Sequence, residues 1–127
     1  MTQPTRSEVL DATAATEEVM TPQKVPVNAY ESSGALVIVA PLPAVTPGDV
    51  TVELRQGLLR FYARLRSAGP RDYLIHEWEY GGYEREIDLP DGFGSGLEAT
   101  LVNGQLAIRV LRGTPVKSLT VQPITST

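Results

Sequence analysis

Three polar residues close together in the chain have side chains whose types could support catalysis. His76 is the single histidine, and Glu77 and Glu79 follow it two residues apart. Glycoside hydrolases use a pair of carboxylates in catalysis, and a histidine can act as a general base. In a strand, however, Glu77 and Glu79 would share one face, and acidic residues on the outer face of a sheet are ordinarily solvated. We therefore expect no catalytic role for these residues.

The composition argues against most other site chemistry. The chain has no cysteine, which excludes disulfide bonds and thiolate metal sites, and one histidine cannot make a histidine-based metal cluster. The sequence contains no glycine-rich phosphate loop. A net charge of -4 and a pI near 4.9 argue against a nucleic-acid partner, which requires a concentrated basic surface. The sequence therefore predicts a protein that is not an enzyme and has no cofactor or metal.

Length and hydropathy predict one small domain with tails. The chain has 127 residues, and a body of about 90 residues buries roughly 60–65% of its extended-chain surface, which supports only a thin core. No apolar run approaches the ~20 residues of a membrane span. The first ten residues lack the basic region and apolar core of a secretion signal. We expect a soluble, cytoplasmic protein with no membrane partner.

Short alternating segments between turns predict an all-β sandwich. Residues 1–24 contain no aromatic side chain and predict a flexible N-terminal arm. In the body, residues 25–112, the clearest signal is Asn103-Gly104, a dipeptide that tolerates positive φ at both centres of a type I′ turn. Apolar residues alternate on both sides of it, so that each strand has one apolar face. They are Leu97, Ala99 and Leu101 before the turn, and Leu106, Ile108 and Val110 after it.

The segment between Ser67-Ala68-Gly69-Pro70 and Gly81-Gly82 is unusually aromatic for this chain. It contains Tyr73, Trp78 and Tyr80, out of eight aromatic residues in all. Amphipathic aromatic residues are enriched at protein interfaces. The segment is therefore either a contact with another subunit or a long hairpin that folds back on its own sheet.

Arg85 is a charged residue on an inward-facing position. The alternation of Tyr83, Ile87 and Leu89 sets the inward phase, and Arg85 shares it. A guanidinium at such a position is costly unless carboxylates or carbonyls accept its hydrogen bonds. Either a partner chain or a local strand must supply them.

The hairpin also carries a family resemblance. Ala99, Asn103, Gly104 and Leu106 form A-x-x-x-N-G-x-L, which resembles the signature that ends the α-crystallin domain of small heat-shock proteins. Over residues 25–112 the chain resembles this domain in order, with V-x-V-N-A-Y-E, V-I-V-A-P-L-P, G-D-V-T-V-E-L, G-L-L-R-F-Y-A and Y-x-R-x-I-x-L-P. The last motif places Arg85 at the family's conserved arginine. The resemblance implies an immunoglobulin-like β-sandwich.

The C-terminal tail, residues 113–127, has a second matching motif. Leu119 and Val121 lie on one side of an extended backbone, and prolines on both flanks disfavour a helix. The motif resembles the family's I-x-I tail sequence, which binds a groove on a neighbouring subunit. The groove that we expect to bind the tail or a client is lined by Val50, Val52, Leu54, Leu97 and Leu101.

The resemblance implies an ATP-independent holdase chaperone that binds partly unfolded client proteins and prevents their aggregation. It also implies a strand-exchanged homodimer, with an interface at Tyr73, Ile75, Trp78, Tyr80 and Arg85. The sequence departs from the family in two places, because Ala44 stands where glycine usually follows the Leu-Pro step and because the arm has no phenylalanine. The second departure favours a dimer or a small assembly of dimers over a large shell.

A different class of binding module has the same sandwich. A CS-domain co-chaperone would bind one folded chaperone partner and remain a monomer. Such a module would lack the residue 99–106 signature and a tail like Leu119-x-Val121, both of which this chain has.

Overall fold

The computed structural model describes residues 23–64, 72–75, 77 and 82–125. These residues form nine strands and a single 3-10 turn at Pro47–Asp49. The strands are β1 (Gln23–Lys24), β2 (Asn28–Ser32), β3 (Ala35–Pro41), β4 (Val50–Arg55), β5 (Leu58–Ala63), β6 (Tyr83–Asp88), β7 (Phe93–Val102), β8 (Gln105–Arg112) and β9 (Ser118–Val121).

The strands form two sheets that pack as a sandwich. The first sheet has the order β1-β6-β5-β4-β9, and the second has the order β2-β3-β8-β7. All neighbours are antiparallel except β1 and β6. The predicted all-β sandwich is confirmed.

The core forms because the alternating residues of both sheets point toward each other. In the first sheet, Val50, Val52 and Leu54 are at most 1% exposed, and Phe61 is fully buried. From the second sheet, the inward residues of β8 meet them, and all of these are fully buried. They are Leu106, Ile108 and Val110.

Two-residue turns with positive φ connect three of the hairpins. Asn103 and Gly104 have φ of 52° and 76° and join β7 to β8. Ser33-Gly34 and Gln56-Gly57 make the same kind of turn between β2 and β3 and between β4 and β5. Positive φ at both central residues gives a turn whose twist matches that of the strands.

Replacing Gly104 with alanine is expected to lower the free energy of unfolding by about 1 kcal/mol. An added Cβ would meet Pro43 Cα at 3.7 Å, an ordinary contact, so the cost arises from the positive φ alone. Urea denaturation measures the change, and Gly48→Ala is the matched control because a Cβ there meets open space. Equal stability of the two variants would contradict this account of the turn.

The start of the body, residues 25–31, is not a single strand. Val25 is instead buried at 3% exposure, and β2 begins only at Asn28. The pairing of Gln23–Lys24 with Tyr83 and Glu84 of β6 brings this segment onto the first sheet. The rest of the predicted arm, residues 1–22, lies outside the described residues.

Candidate docking groove between the two sheets

The groove lies at the side of the sandwich, where the first sheet approaches the β7 edge of the second sheet. β4 and β7 come together there, and β9 covers them. Four of the five residues predicted to line the groove are buried, and the fifth, Leu97, is half-buried and packs on the core. The buried four are Val50, Val52, Leu54 and Leu101. These residues are therefore part of one apolar core, and the tail motif pairs with two of them, Val52 and Leu54.

The tail motif is paired with β4. Leu119 lies opposite Leu54, and Val121 lies opposite Val52, in an antiparallel ladder. Both tail side chains are half-buried and pack against the core, whereas Ser118 is exposed. The i, i+2 spacing therefore places two aliphatic side chains on the apolar side of the added strand.

Beyond the motif, the tail crosses to the other sheet. The N–H of Leu101 donates to the carbonyl oxygen of Ile124 at 2.8 Å, and the N–H of Ile124 donates to that of Ala99 at 3.0 Å. Pro123, which lies in the chain between β9 and Ile124, is buried. The tail thus satisfies backbone groups on the edges of both sheets, which are otherwise available to any extended chain.

Two tail contacts were not predicted from the sequence. Val116 packs on the core before the motif, and Ile124 forms its bridge after the motif. The proline before Ile124 was the available signal, because it ends the β9 ladder and turns the chain toward β7.

The signature residues support the β7 side of this groove. Ala99, 8% exposed, faces Ile108 across the hairpin, and Leu106, fully buried, faces Leu101. Asn103 and Gly104 form the turn that fixes this register. The signature therefore sets the edge strand that bridges to Ile124.

Arg85 binds within its own chain in this structure. Its Nη1 donates to the carbonyl oxygen of Val25 at 3.0 Å. The sequence left open whether a partner chain or the same chain supplies the acceptor, and in this contact the same chain supplies it. The bond joins β6 to the segment that leads into β2.

The predicted interface residues are only partly described. Tyr73 is 48% exposed and Ile75 is 76% exposed, with Leu74 between them at 102%. Trp78 and Tyr80 lie outside the described residues. The described part of this segment therefore presents three large apolar or aromatic side chains to solvent.

β2 is an exposed edge strand of the second sheet. All five of its residues are exposed, and within the described part of the chain it pairs only with β3. An open cleft of about 370 Å³ adjoins its start, lined in part by Pro26, Pro41 and Gly104. An unpaired edge of this length offers a row of backbone donors and acceptors to another strand.

An ion cluster covers the outer face of the first sheet. Arg60 Nε lies 2.8 Å from Glu84 Oε1, and Arg60 Nη1 lies 3.4 Å from Glu53 Oε2. Its guanidinium carbon also lies 4.2 Å from the centroid of the Tyr62 ring. Burial alone would lower the pKa of Arg60, but the hydrogen bond and charge of Glu84, followed by those of Glu53, outweigh it and raise the pKa. This face is charged and solvated, unlike the groove.

The three residues weighed for catalysis contribute no described site. Glu77 is exposed, and His76 and Glu79 lie outside the described residues. Among residues 23–64, 72–75, 77 and 82–125, no group of three or more histidine, cysteine, aspartate or glutamate side chains is placed to hold a metal ion. The same residues include no helix long and apolar enough to cross a membrane.

Comparison with known proteins identifies the family. A family model described as the Hsp20/alpha crystallin family matches residues 28–125. The chain belongs to this family. One relative, a 19.0 kDa class II heat shock protein of Oryza sativa subsp. japonica, is 32% identical over an alignment 122 positions long, which covers 88% of this chain and 67% of the rice protein.

Solved structures of the family have the same fold. HspA from Xanthomonas axonopodis has a TM-score of 0.63 at 26% identity, covering 71% of this chain and 94% of that one. A small heat-shock protein from Xylella fastidiosa has a TM-score of 0.62 at 22% identity, covering 81% and 95%. Membership of the Hsp20/alpha crystallin family gives this chain a small heat-shock chaperone role.

Proposed function

We propose that the chain is an ATP-independent holdase that binds partly unfolded proteins at the groove between β4 and β7 and prevents their aggregation. One observation carries the proposal: the groove already binds an extended peptide with aliphatic residues at i and i+2. Unfolded chains expose segments of the same kind, which can add to a sheet edge through backbone hydrogen bonds. The preferred client segment is therefore extended and alternates aliphatic with polar side chains.

Exchange between tail and client requires that the tail be held weakly. Leu119 and Val121 are only half-buried, and the ladder with β4 spans four residue pairs. Each backbone hydrogen bond contributes a net of about 0.5–1.5 kcal/mol, while ordering each residue costs about 1–2 kcal/mol. Because the gain from hydrogen bonding and the cost of ordering are similar in size, the tail can be released at little cost in free energy. Its release exposes Val52, Leu54 and Leu101.

Light scattering of a model enzyme during heat denaturation tests the holdase activity. With no nucleotide present, one subunit per enzyme subunit is expected to suppress most of the scattering, because the client segments bind before they meet each other. Bovine serum albumin at the same mass concentration is the control for nonspecific protection. Scattering equal to that of the albumin sample would contradict the proposal and favour the co-chaperone alternative.

The same proposal includes a homodimer, or a small assembly of dimers, built through the β2 edge. It is supported by the unpaired edge of β2 and by exposed Tyr73, Leu74 and Ile75 in the segment that the sequence predicts to exchange. The proposed organisation is an arm at residues 1–24, an α-crystallin domain at 25–112 and a docking tail at 113–127. The proposed location is the cytoplasm.

Replacing Arg85 with alanine is expected to weaken the dimer about tenfold. The guanidinium holds the carbonyl of Val25, and without this bond the segment that leads into β2 loses an anchor. Sedimentation velocity across a dilution series measures the dissociation constant. Arg64→Ala, at an exposed position near the end of β5, is the control and should sediment like the parent. Identical sedimentation of Arg85→Ala and the parent would argue against the β2 interface.

A further inference from the structure

We propose that one end of the second sheet is a further peptide-binding site, which takes extended client segments that have no charged side chains. Its centre is the cleft of about 370 Å³ beside the start of β2. We call this cleft and the adjoining Val102 the uncharged end. The proposal rests on the holdase function proposed above and adds a second place on the sandwich where a client segment binds.

Three stretches of the chain supply the uncharged end, and none of them contains a charged residue, although 20% of the chain is charged. They are residues 25–30, 32–48 and 99–108. Asn28 of the first stretch lies opposite Val39 of the second, and the N–H of Leu42 donates to the carbonyl oxygen of Gly104 in the third at 2.7 Å. The surface of a small soluble domain is usually about 25–35% charged, whereas the centres of interfaces are depleted of charge. The uncharged end therefore has the composition of a binding surface.

The charged side chains of the second sheet lie nearer its other end. Two ion pairs hold them, each with an N–O distance of 3.0 Å: Arg112–Glu31 and Arg109–Glu98. Arg109 lies opposite Val37, which is four residues along β3 from Pro41 in the cleft lining. Four residues of a strand span about 13 Å. The charge of this sheet is thus confined to one half, and the cleft lies in the other half.

The lining of the cleft matches an uncharged peptide. Its base is apolar, with Ala40 buried and Val39 half-buried, and none of its nine lining residues is charged. Three exposed carboxamides surround this base, from Asn28, Asn103 and Gln105. Each carboxamide has a donor and an acceptor, as a peptide group has. A charged side chain would lose hydration there without gaining a counter-ion, so the lining favours aliphatic residues and proline.

The uncharged end adjoins the proposed client groove. Leu101 lines the groove and Asn103 lines the cleft, two residues later and about 7 Å along the chain. Val102 lies between them and is 46% exposed. An extended client segment that leaves the groove can therefore continue over Val102 into the cleft without meeting a charged residue of the hairpin. Two linked sites bind one segment more tightly than either site alone.

The cleft is largely separate from the β2 edge that the proposed dimer uses. Of the β2 residues, only Asn28 lines the cleft, whereas Ala29 to Ser32 continue the edge beyond it. The occupant that the lining favours is therefore a client segment and not the strand of a second copy.

Photochemical cross-linking of a peptide to the full chain maps the site directly. The probe is a peptide of alternating valine and serine with a photoreactive residue at one end, and about 12 residues give it a reach of about 40 Å. Mass spectrometry of the cross-linked chain is expected to find the peptide attached at residues 26–28 or 103–105. Cross-links confined to β4 and residues 97–101 would overturn the second site while leaving the groove as the client site.

A change of charge in the lining tests the predicted preference. Asn28→Asp/Gln105→Glu adds two carboxylates with little change of shape, so the valine–serine peptide should bind several-fold more weakly, as measured by fluorescence anisotropy. A version of the peptide with two serines replaced by lysine should bind this variant several-fold more tightly than it binds the parent.

The matched control adds the same charge elsewhere. Ser33→Asp/Gln56→Glu changes two exposed residues in turns outside the uncharged end, and it should rank the two peptides as the parent does. Equal effects of the two double variants would show that the change of net charge acts at long range, and no effect of either would show that the cleft is not used. Each of these results would overturn the site.

Sedimentation without peptide tests whether a second copy covers the uncharged end. Asn28→Asp/Gln105→Glu should sediment like the parent, and dissociation of this variant alone into smaller species would overturn the peptide site in favour of a contact between copies. Failure of the parent to suppress aggregation would contradict the holdase proposal instead. The cross-linking map would still decide whether the uncharged end binds an extended peptide.

Discussion

Replacing Phe61 with alanine is expected to lower the free energy of unfolding by about 3–5 kcal/mol. Phe61 is fully buried at the centre of β5, between Val52 of β4 and Arg85 of β6 in register. Its removal leaves a cavity in a core only two layers thick, where few neighbours can move in to fill it. Urea denaturation followed by circular dichroism measures the change.

The next residue on the same strand is the matched control. Tyr62 points outward, is half-buried and stacks with Arg60. Because its ring borders solvent, Tyr62→Ala should cost about 1 kcal/mol, the size of one cation–π contact and a partial burial. If the two alanine variants lost equal stability, Phe61 would not be the centre of the core.

The strand pattern was predictable from the sequence because it depends on neighbours only one or two residues away. Alternation in Val50, Val52 and Leu54 fixed which face of β4 is buried, and Asn103-Gly104 fixed the turn. A shift of one residue in strand register would expose the whole apolar set, so only one register is stable.

The partners of the charged residues required the tertiary structure. Arg85 and the carbonyl of Val25 are 60 residues apart in the chain. Arg60 meets Glu53 and Glu84 only because β4, β5 and β6 pair in a particular register. Alternation shows that Arg85 faces inward, but it contains no information about which distant carbonyl lies opposite.

The lining of the groove and the tail motif that covers it follow from strand periodicity, whereas the copy that supplies the tail does not. The spacing of Leu119 and Val121 indicates a docking strand, since only the strand period is needed. The same spacing contains no information about which copy supplies that strand. The family resemblance implies a neighbour's tail, and in this structure the chain's own tail pairs with β4.

Replacing both Leu119 and Val121 with serine is expected to release the tail while the sandwich stays folded. The two side chains supply the apolar contacts of β9 with the core, and the remaining backbone hydrogen bonds compete with water. Release would expose Val52, Leu54 and Leu101, so fluorescence of an apolar-surface dye should rise several-fold. The amount of protein needed for half-maximal protection of a denaturing enzyme should fall several-fold.

The alternate residues of the same strand provide the control. Ser118 and Thr120 are exposed, so Ser118→Ala/Thr120→Ala changes two side chains of β9 without touching its apolar side. This control should match the parent in dye binding and in protection. Circular dichroism should show that the sandwich stays folded in both double variants, since Phe61 and the β8 residues hold the core without the tail. A serine variant that stayed folded, bound no extra dye and protected no better than the parent would contradict the role of the tail as the cover of the groove.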